Sequence, residues 1–117
     1  MISDLKNLEQ LEEALNRPAL LIFKHSSRCM TSARILADVR GFAESHPDLP
    51  VHRVLVIEDR PVSAEIARRL GIVHESPQAI LVRDGAAAWS ASHQDITVEA
   101  IERALAESGQ PGGVHAG

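Results

Sequence analysis

The residues best suited to chemistry are Arg28-Cys29-Met30-Thr31-Ser32, because this segment contains the only cysteine of the 117-residue chain. An apolar run at positions 19–23 precedes it and predicts an interior strand, and a helical pattern follows over Met30–Ser45. Cys29 is therefore expected at a helix N-terminus, where unpaired N–H groups favour a thiolate by about 0.3–1 kcal/mol. Arg28 would add positive charge. Position alone leaves two interpretations open: a reactive thiol, or a small buried hydrophobe, the common fate of a lone cysteine.

The pattern along the chain predicts helices and strands in the order α-β-α-β-α-β-β-α. Ser3, Ser63 and Thr97 are expected to cap the first, third and last helices, and Gly71 to end the third. An Asp-Gly pair at positions 84–85 lies between two apolar runs and predicts a hairpin. The predicted helices cover residues 4–15, 30–45, 63–70 and 97–107, and the predicted strands cover residues 19–23, 51–57, 78–82 and 86–91.

Composition indicates one soluble domain over residues 1–107, followed by a disordered tail at 108–117 that contains four Gly and one Pro. A net charge of -4 and only three aromatic residues argue against a nucleic-acid partner. One cysteine cannot form an internal disulfide, and the sequence shows no metal-ligand spacing, signal peptide or membrane-length apolar stretch. We therefore expect a cytoplasmic protein that has no metal site and no membrane partner.

The predicted order describes an α/β protein with a mixed four-stranded sheet and helices on both faces. This is the thioredoxin-like plan. Its reactive thiol begins the helix after the first core strand, and a proline lies beside the thiol at the start of the hairpin. Cys29 and Pro77 occupy these two places in the sequence.

Further segments narrow the comparison. They are Phe23-Lys24-His25-Ser26, Cys29 with Ser32, Arg60-Pro61-Val62-Ser63, His74-Glu75-Ser76-Pro77-Gln78, Trp89 with Ser92-His93, and Ile96-Thr97. In these segments the chain resembles one family within that plan, the monothiol bacilliredoxin-like proteins of the bacillithiol redox system. At the thiol itself the family usually has Thr-Cys-Pro, whereas this chain has Arg28-Cys29-Met30.

The resemblance implies a thiol-disulfide oxidoreductase that reduces mixed disulfides between proteins and a low-molecular-weight thiol. Its partners would be S-thiolated proteins and the small thiol or its reductase, with bacillithiol as co-substrate and no bound cofactor. Cys29 would be the nucleophile. Ser32 takes the place of a resolving cysteine, and a hydroxyl cannot form a disulfide, so resolution must come from another molecule.

The predicted substrate-binding residues surround the thiol. The Ser76-Pro77 bond is expected to be cis on the basis of the resemblance, with the Ser76 backbone facing an incoming substrate. Ser32 is expected either to donate a hydrogen bond to the Cys29 thiolate or to be an ordinary first-turn residue. The full set of predicted binding residues is Arg28, Ser32, Glu75, Ser76, Pro77 and Gln78.

Two other functions remain open. In the first, the chain is a redox-responsive binding module in which capping of Cys29 alters a partner surface without turnover. In the second, two chains and two small thiols hold an iron–sulfur cluster, as in some monothiol glutaredoxins. The presence of a single thiol is the one feature of the sequence that supports this iron–sulfur function.

Overall fold

A five-stranded mixed sheet organises the chain in a computed structural model that describes residues 1–108. The strands lie in the order β1-β3-β2-β4-β5, and four helices connect or follow them. The strands are β1 Ile2–Asp4, β2 Ala19–His25, β3 Val51–Leu55, β4 Gln78–Arg83 and β5 Ala86–Ser92. The helices are α1 Leu8–Leu15, α2 Met30–Ser45, α3 Arg60–Leu70 and α4 Val98–Ser108, with a 3-10 turn at His93–Asp95.

Strand β2 lies at the centre of the sheet and determines where the thiol is placed. It runs parallel to β3, with His25 opposite Leu55, and antiparallel to β4, with Lys24 opposite Gln78. The carboxyl ends of β2 and β3 and the beginning of β4 therefore meet at one edge of the sheet. We call this the thiol edge, because Cys29 follows β2 there.

Both faces of the sheet are covered, which explains the continuous apolar run in β2. Leu21 and Phe23 point to one face, where they pack with residues of α2 and α4. Leu20 and Ile22 point to the other face and pack with residues of α1 and α3. Successive side chains of a strand alternate between faces, so Lys24 continues the α1/α3 side and His25 the α2/α4 side.

The N-terminal prediction is wrong in two respects. Residues 2–4 form β1, a fifth strand parallel to β3, and α1 begins only at Leu8. The side chain of Asn7, not Ser3, caps this helix by accepting the N–H of Gln10. Leu8, at the start of this helix, is exposed, whereas Leu11 and Leu15 are buried. The cause is non-local, because Asp4 forms a two-bond ion pair with Arg53 of β3.

Several local signals are confirmed, and one cap is wrong. Helix α2 has the predicted bounds, Gly71 ends α3 in the left-handed conformation, and the Asp84-Gly85 turn has two positive φ angles. Thr97 caps α4 through the N–H of Ala100. Helix α3, however, begins at residue 60.

Asp59, not Ser63, is the N-cap residue of α3, and Ser63 is buried inside that helix. A proline in the first turn replaces the side-chain cap, since it has no N–H to satisfy. At the other end of the chain, α4 includes Ser108, and the rest of the predicted tail, residues 109–117, lies outside the described residues. Within residues 1–108, none of the helices is both long and apolar enough to cross a membrane.

Candidate functional site

Cys29 is the N-cap residue of α2 and is half-buried at the thiol edge. Its backbone is extended, with φ -119° and ψ 119°. The Cys29 carbonyl accepts the N–H of Ala33, while its own N–H donates to the carbonyl of Ser26. The side chain makes no capping hydrogen bond. The sulfur is thus held by the backbone at the positive end of a 16-residue helix and is not engaged in the cap.

The hydroxyl of Ser32 bonds to groups other than the thiol. Ser32 is fully buried, and its Oγ lies 2.8 Å from Nδ1 of His25 and accepts the N–H of Ser26 at 3.1 Å. Among residues 1–108, it forms no hydrogen bond with the Cys29 sulfur. These bonds join the end of β2, the loop and the first turn of α2. The serine therefore stabilises the loop that carries the thiol.

His25, the last residue of β2, is the side-chain partner of Ser32. Burial lowers its pKa, and the nearby charge of Arg53 lowers that pKa further, so the ring is neutral near pH 7. A neutral ring needs only one donor and one acceptor partner, and the Ser32 hydroxyl can serve at Nδ1 in either tautomer. Two features of the sequence could have indicated this contact. A polar residue ends the buried strand, and a serine lies in the first turn of the next helix.

The Ser76-Pro77 peptide bond is cis, which confirms the prediction. Pro77 is buried, its carbonyl accepts the N–H of His93, and β4 begins at the next residue. Since the first residue of β4 lies opposite Lys24, the cis bond faces the end of β2 at the thiol edge. Direct contact between Pro77 and Cys29 stays a prediction.

The neighbours of this proline differ in their exposure. Glu75 is exposed, with its carboxylate 3.3 Å from Nε2 of His93. Gln78 is buried and donates from Nε2 to the carbonyl of Val73 at 3.0 Å. Oε1 of Gln78 and Oγ of Ser76 are buried without a partner among the described residues. Of the predicted binding residues here, Glu75 is at the surface, whereas Gln78 supports the preceding loop.

Sequence reasoning missed a buried cation on the opposite face of the sheet from His25. The side chain of Lys24 is 0% exposed, and its Nζ lies 3.1 Å from Nδ1 of His74. Within residues 1–108 it has no carboxylate partner. Burial lowers its pKa from 10.5 to about 8. A lysine inside an otherwise apolar strand was the signal.

The surface around the thiol edge combines charge and apolar side chains. Arg28 is exposed, and within the described residues its guanidinium forms no ion pair or side-chain hydrogen bond. Met30 is 86% exposed at the first position of α2, and Val73 is 81% exposed in the segment before the cis bond. Residues 1–108 contain no group of three or more His, Cys, Asp or Glu residues arranged to hold a metal ion.

The family model described as monothiol bacilliredoxin BrxC matches residues 1–101. The chain belongs to this family. The resemblance of the sequence is thereby confirmed, and so is a thiol redox function. The word "monothiol" in this description agrees with a sequence whose one cysteine is Cys29.

Solved structures show that this bacilliredoxin has a thioredoxin fold. A protein described as a candidate oxidoreductase with a thioredoxin fold is 28% identical, with a TM-score of 0.82 over 88% of this chain and 92% of that one. Mitochondrial thioredoxin 3 of Saccharomyces cerevisiae is 18% identical, with a TM-score of 0.75 over 91% and 94% of the two chains. Thioredoxin of Trypanosoma brucei brucei is 13% identical, with a TM-score of 0.78 over 92% and 90%.

Proposed function

We propose that this chain removes a low-molecular-weight thiol, bacillithiol, from S-thiolated proteins by exchange at Cys29. The observation that carries the proposal is a half-buried thiol at the start of α2 in a chain of the monothiol bacilliredoxin family with no second cysteine. The proposed setting is a reducing compartment such as the cytoplasm, where a free thiol persists.

The exchange begins with attack of the Cys29 thiolate on the sulfur of the small thiol. A disulfide forms between Cys29 and the small thiol, and the disulfide between the small thiol and the substrate protein breaks. The substrate cysteine leaves as a thiolate and takes a proton from solvent. One disulfide has been exchanged for another, which now includes Cys29, so the step needs no external oxidant or reductant.

Release of the cap requires a second molecule. Ser32 stands at the position of a resolving thiol, but its oxygen cannot form a disulfide and is bonded to His25 and Ser26. A second small thiol, or a reductase, must attack the disulfide at Cys29. The capped protein should therefore accumulate when neither is supplied.

Substrate binding is proposed at the thiol edge. The backbone of Ser76 would pair with an extended segment of the substrate, as in other modes of strand addition. Met30 and Val73 offer exposed apolar side chains on segments that leave this edge, and the free guanidinium of Arg28 offers charge. Glu75 is the surface residue beside the cis bond that would contact a substrate at its rim.

The test mixes an S-bacillithiolated protein with the chain and follows the intact mass of both over time. The cap should move from the substrate to the wild-type chain and stay there until free bacillithiol is added. Cys29→Ala should abolish transfer. Ser32→Ala should retain it, although removal of the hydroxyl leaves His25 and the Ser26 amide without a partner and should destabilise the fold by about 1–3 kcal/mol.

Thr31→Ala is the matched control, since Thr31 is an exposed neighbour in the same helical turn. It should change neither transfer nor stability appreciably. Transfer that persists in Cys29→Ala would disprove the mechanism. A wild-type chain that becomes capped but is uncapped neither by bacillithiol nor by a reductase would instead support the binding-module function.

A further inference from the structure

A cavity of about 530 Å³ opens at the thiol edge beside α3. Its walls come from the turn that follows β3, from α3 and from the segment before the cis bond. They include Val56, Ile57, Arg60, Ser63 and His74.

The cavity is joined to the loop that carries Cys29. The N–H of Val56 donates to the carbonyl of His25, the last residue of β2. The hydroxyl of Ser27 donates to the carboxylate of Glu58 at 3.2 Å. A crevice outside the carboxyl ends of parallel strands is a usual place for a ligand in α/β proteins. A molecule bonded to Cys29 through sulfur would extend along this edge.

The polar groups of the cavity are cationic or donate hydrogen bonds. Lys24 lies behind His74, and its ammonium group has donors only, so Nδ1 of His74 must accept. Burial and the charge of Lys24 lower the pKa of His74, so the ring is neutral and its proton lies on Nε2. Within residues 1–108, Nε2 has no partner, and neither does the Arg60 guanidinium.

Within residues 1–108, none of the nearby carboxylates forms an ion pair with Lys24 or Arg60. Glu58 accepts a hydrogen bond from Ser27, Asp59 pairs with Lys6, and Glu75 lies beside His93. The cavity therefore lies next to two cationic groups that have no ion-pair partner, on a chain whose net charge is -4. The buried ammonium group of Lys24 has no counterion, and His74 and Arg60 each have a hydrogen-bond donor without a protein partner. A bound anion would provide the counterion and accept from both donors.

We propose that this cavity binds a carboxylate of the small thiol, with Nε2–H of His74 and the guanidinium of Arg60 as donors and Lys24 supplying charge from behind. The inference rests on the proposed function, because it assigns a place to the thiol that Cys29 receives. It also names the class of that thiol: one that carries a carboxylate within reach of its sulfur. Lys24 is a positioning residue, since it acts through His74.

The kinetic test compares mixed disulfides of one reporter peptide with mercaptopropionate or mercaptohexanoate, and with the carboxamides of the same two thiols. Release of the peptide thiol gives the rate for each disulfide, and mercaptoethanol in place of the protein gives the intrinsic reactivity. After this correction, at least one carboxylate should react about tenfold faster than its amide. Arg60→Gln and Lys24→Met should each remove most of the preference while the amide rate persists.

A charge-matched control comes from the same chain. Arg68→Gln removes an arginine from the outer face of α3, where it pairs with Glu65. This variant should retain the preference. Equal corrected rates for carboxylate and amide in the wild type would overturn the inference while leaving the proposed function intact.

A binding measurement decides the inference even if transfer fails. Succinate should shift the NMR signals of the His74 ring saturably in the reduced protein, whereas succinamide should not. Arg60→Gln should weaken the shift, and Arg68→Gln should not. Absence of a saturable shift with succinate would overturn the anion site whatever the transfer assay shows.

Discussion

At position 32, the chain has a side chain that supports the site without entering the chemistry. A resolving cysteine would need to reach Cys29, but the hydroxyl of Ser32 is buried and bonds to His25 and to the Ser26 amide. Loss of a buried hydroxyl costs more than the bond itself is worth, because the remaining partners stay desolvated. Two features of position 32 therefore leave Cys29 without a resolving partner: the residue is a serine, and its hydroxyl is bonded to His25 and the Ser26 amide.

Lys24 is the most costly residue of the site for folding. Its pKa falls from 10.5 to about 8 because burial disfavours the charged form. At ~1.4 kcal/mol per pKa unit, the charged form loses on the order of 3 kcal/mol relative to the unfolded chain. Such a cost is typical of a group retained for function.

Lys24→Met should raise the free energy of unfolding at pH 7 by about 1–3 kcal/mol, since methionine fills similar space without a charge. Between about pH 8 and pH 10.5, the unfolded chain binds more protons at this lysine than the folded chain does. The stability of the wild type relative to Lys24→Met should therefore rise with pH over that window. Urea denaturation at pH 7 and pH 10 measures the difference.

Lys6→Met is the control for this prediction, because Lys6 is largely exposed. It should show no comparable gain at pH 7. If the difference in free energy of unfolding between wild type and Lys24→Met stays constant with pH, the destabilisation is not due to the buried charge of Lys24.

Among the elements, the segment between α3 and β4 depends on contacts from several directions. Lys24 of β2 holds His74, Gln78 of β4 holds the Val73 carbonyl, and His93 contacts both Glu75 and the Pro77 carbonyl. Three separate parts of the chain thus hold a segment that has no regular structure of its own. This explains how an exposed segment keeps the cis bond at the thiol edge.

Two glycines on helices should respond to alanine with opposite signs. Gly71 has a φ of 66°, a left-handed conformation that alanine adopts only with strain, so Gly71→Ala should destabilise the protein by about 1 kcal/mol. Gly41 lies inside α2, and a Cβ added there would meet nothing within 4 Å, so Gly41→Ala should stabilise the protein by about 0.5–1 kcal/mol. Urea denaturation of both variants tests the pair. Equal signs would show that the conformation of one of these positions has been assigned incorrectly.

Across the whole molecule, the single thiol and the cavity beside α3 lie near cations that have no ion-pair partner among residues 1–108. The net charge of -4 does not describe this distribution, since Lys24, Arg28 and Arg60 all lie at or near the thiol edge. Local fields of this kind select ligands by charge regardless of the total. The molecule as a whole is thus consistent with a small acidic thiol as the group that Cys29 receives.

Protein isolated from its own cells under thiol-blocking conditions should contain a fraction with one adduct on Cys29. We expect the mass of bacillithiol, since the chain belongs to the monothiol bacilliredoxin family. Peptide mass spectrometry after treatment of the cells with an oxidant measures the adduct, and reduction of the sample should remove it. Glutathione or coenzyme A on Cys29 would keep the chemistry but change the small thiol. Absence of any adduct would count against exchange at this residue.

The sequence by itself determined the features that depend on neighbouring residues. Thr97 and Gly71 act at the ends of helices, and Asp84-Gly85 acts in a hairpin, through bonds and dihedral angles within a few residues. The same local rules placed Cys29 at the start of α2. The family resemblance added the cis bond, which no local rule predicted.

The tertiary structure alone decided the contacts between distant positions. Strand β1 forms by pairing along β3, where Asp4 meets Arg53 across 49 residues, although the local pattern predicted a helix from residue 4. Lys24 meets His74 across 50 residues, and this contact places the buried ammonium group behind a residue that lines the cavity. Periodicity and capping report on bonds within a turn or a strand, whereas these pairs arise only when the sheet brings its strands together.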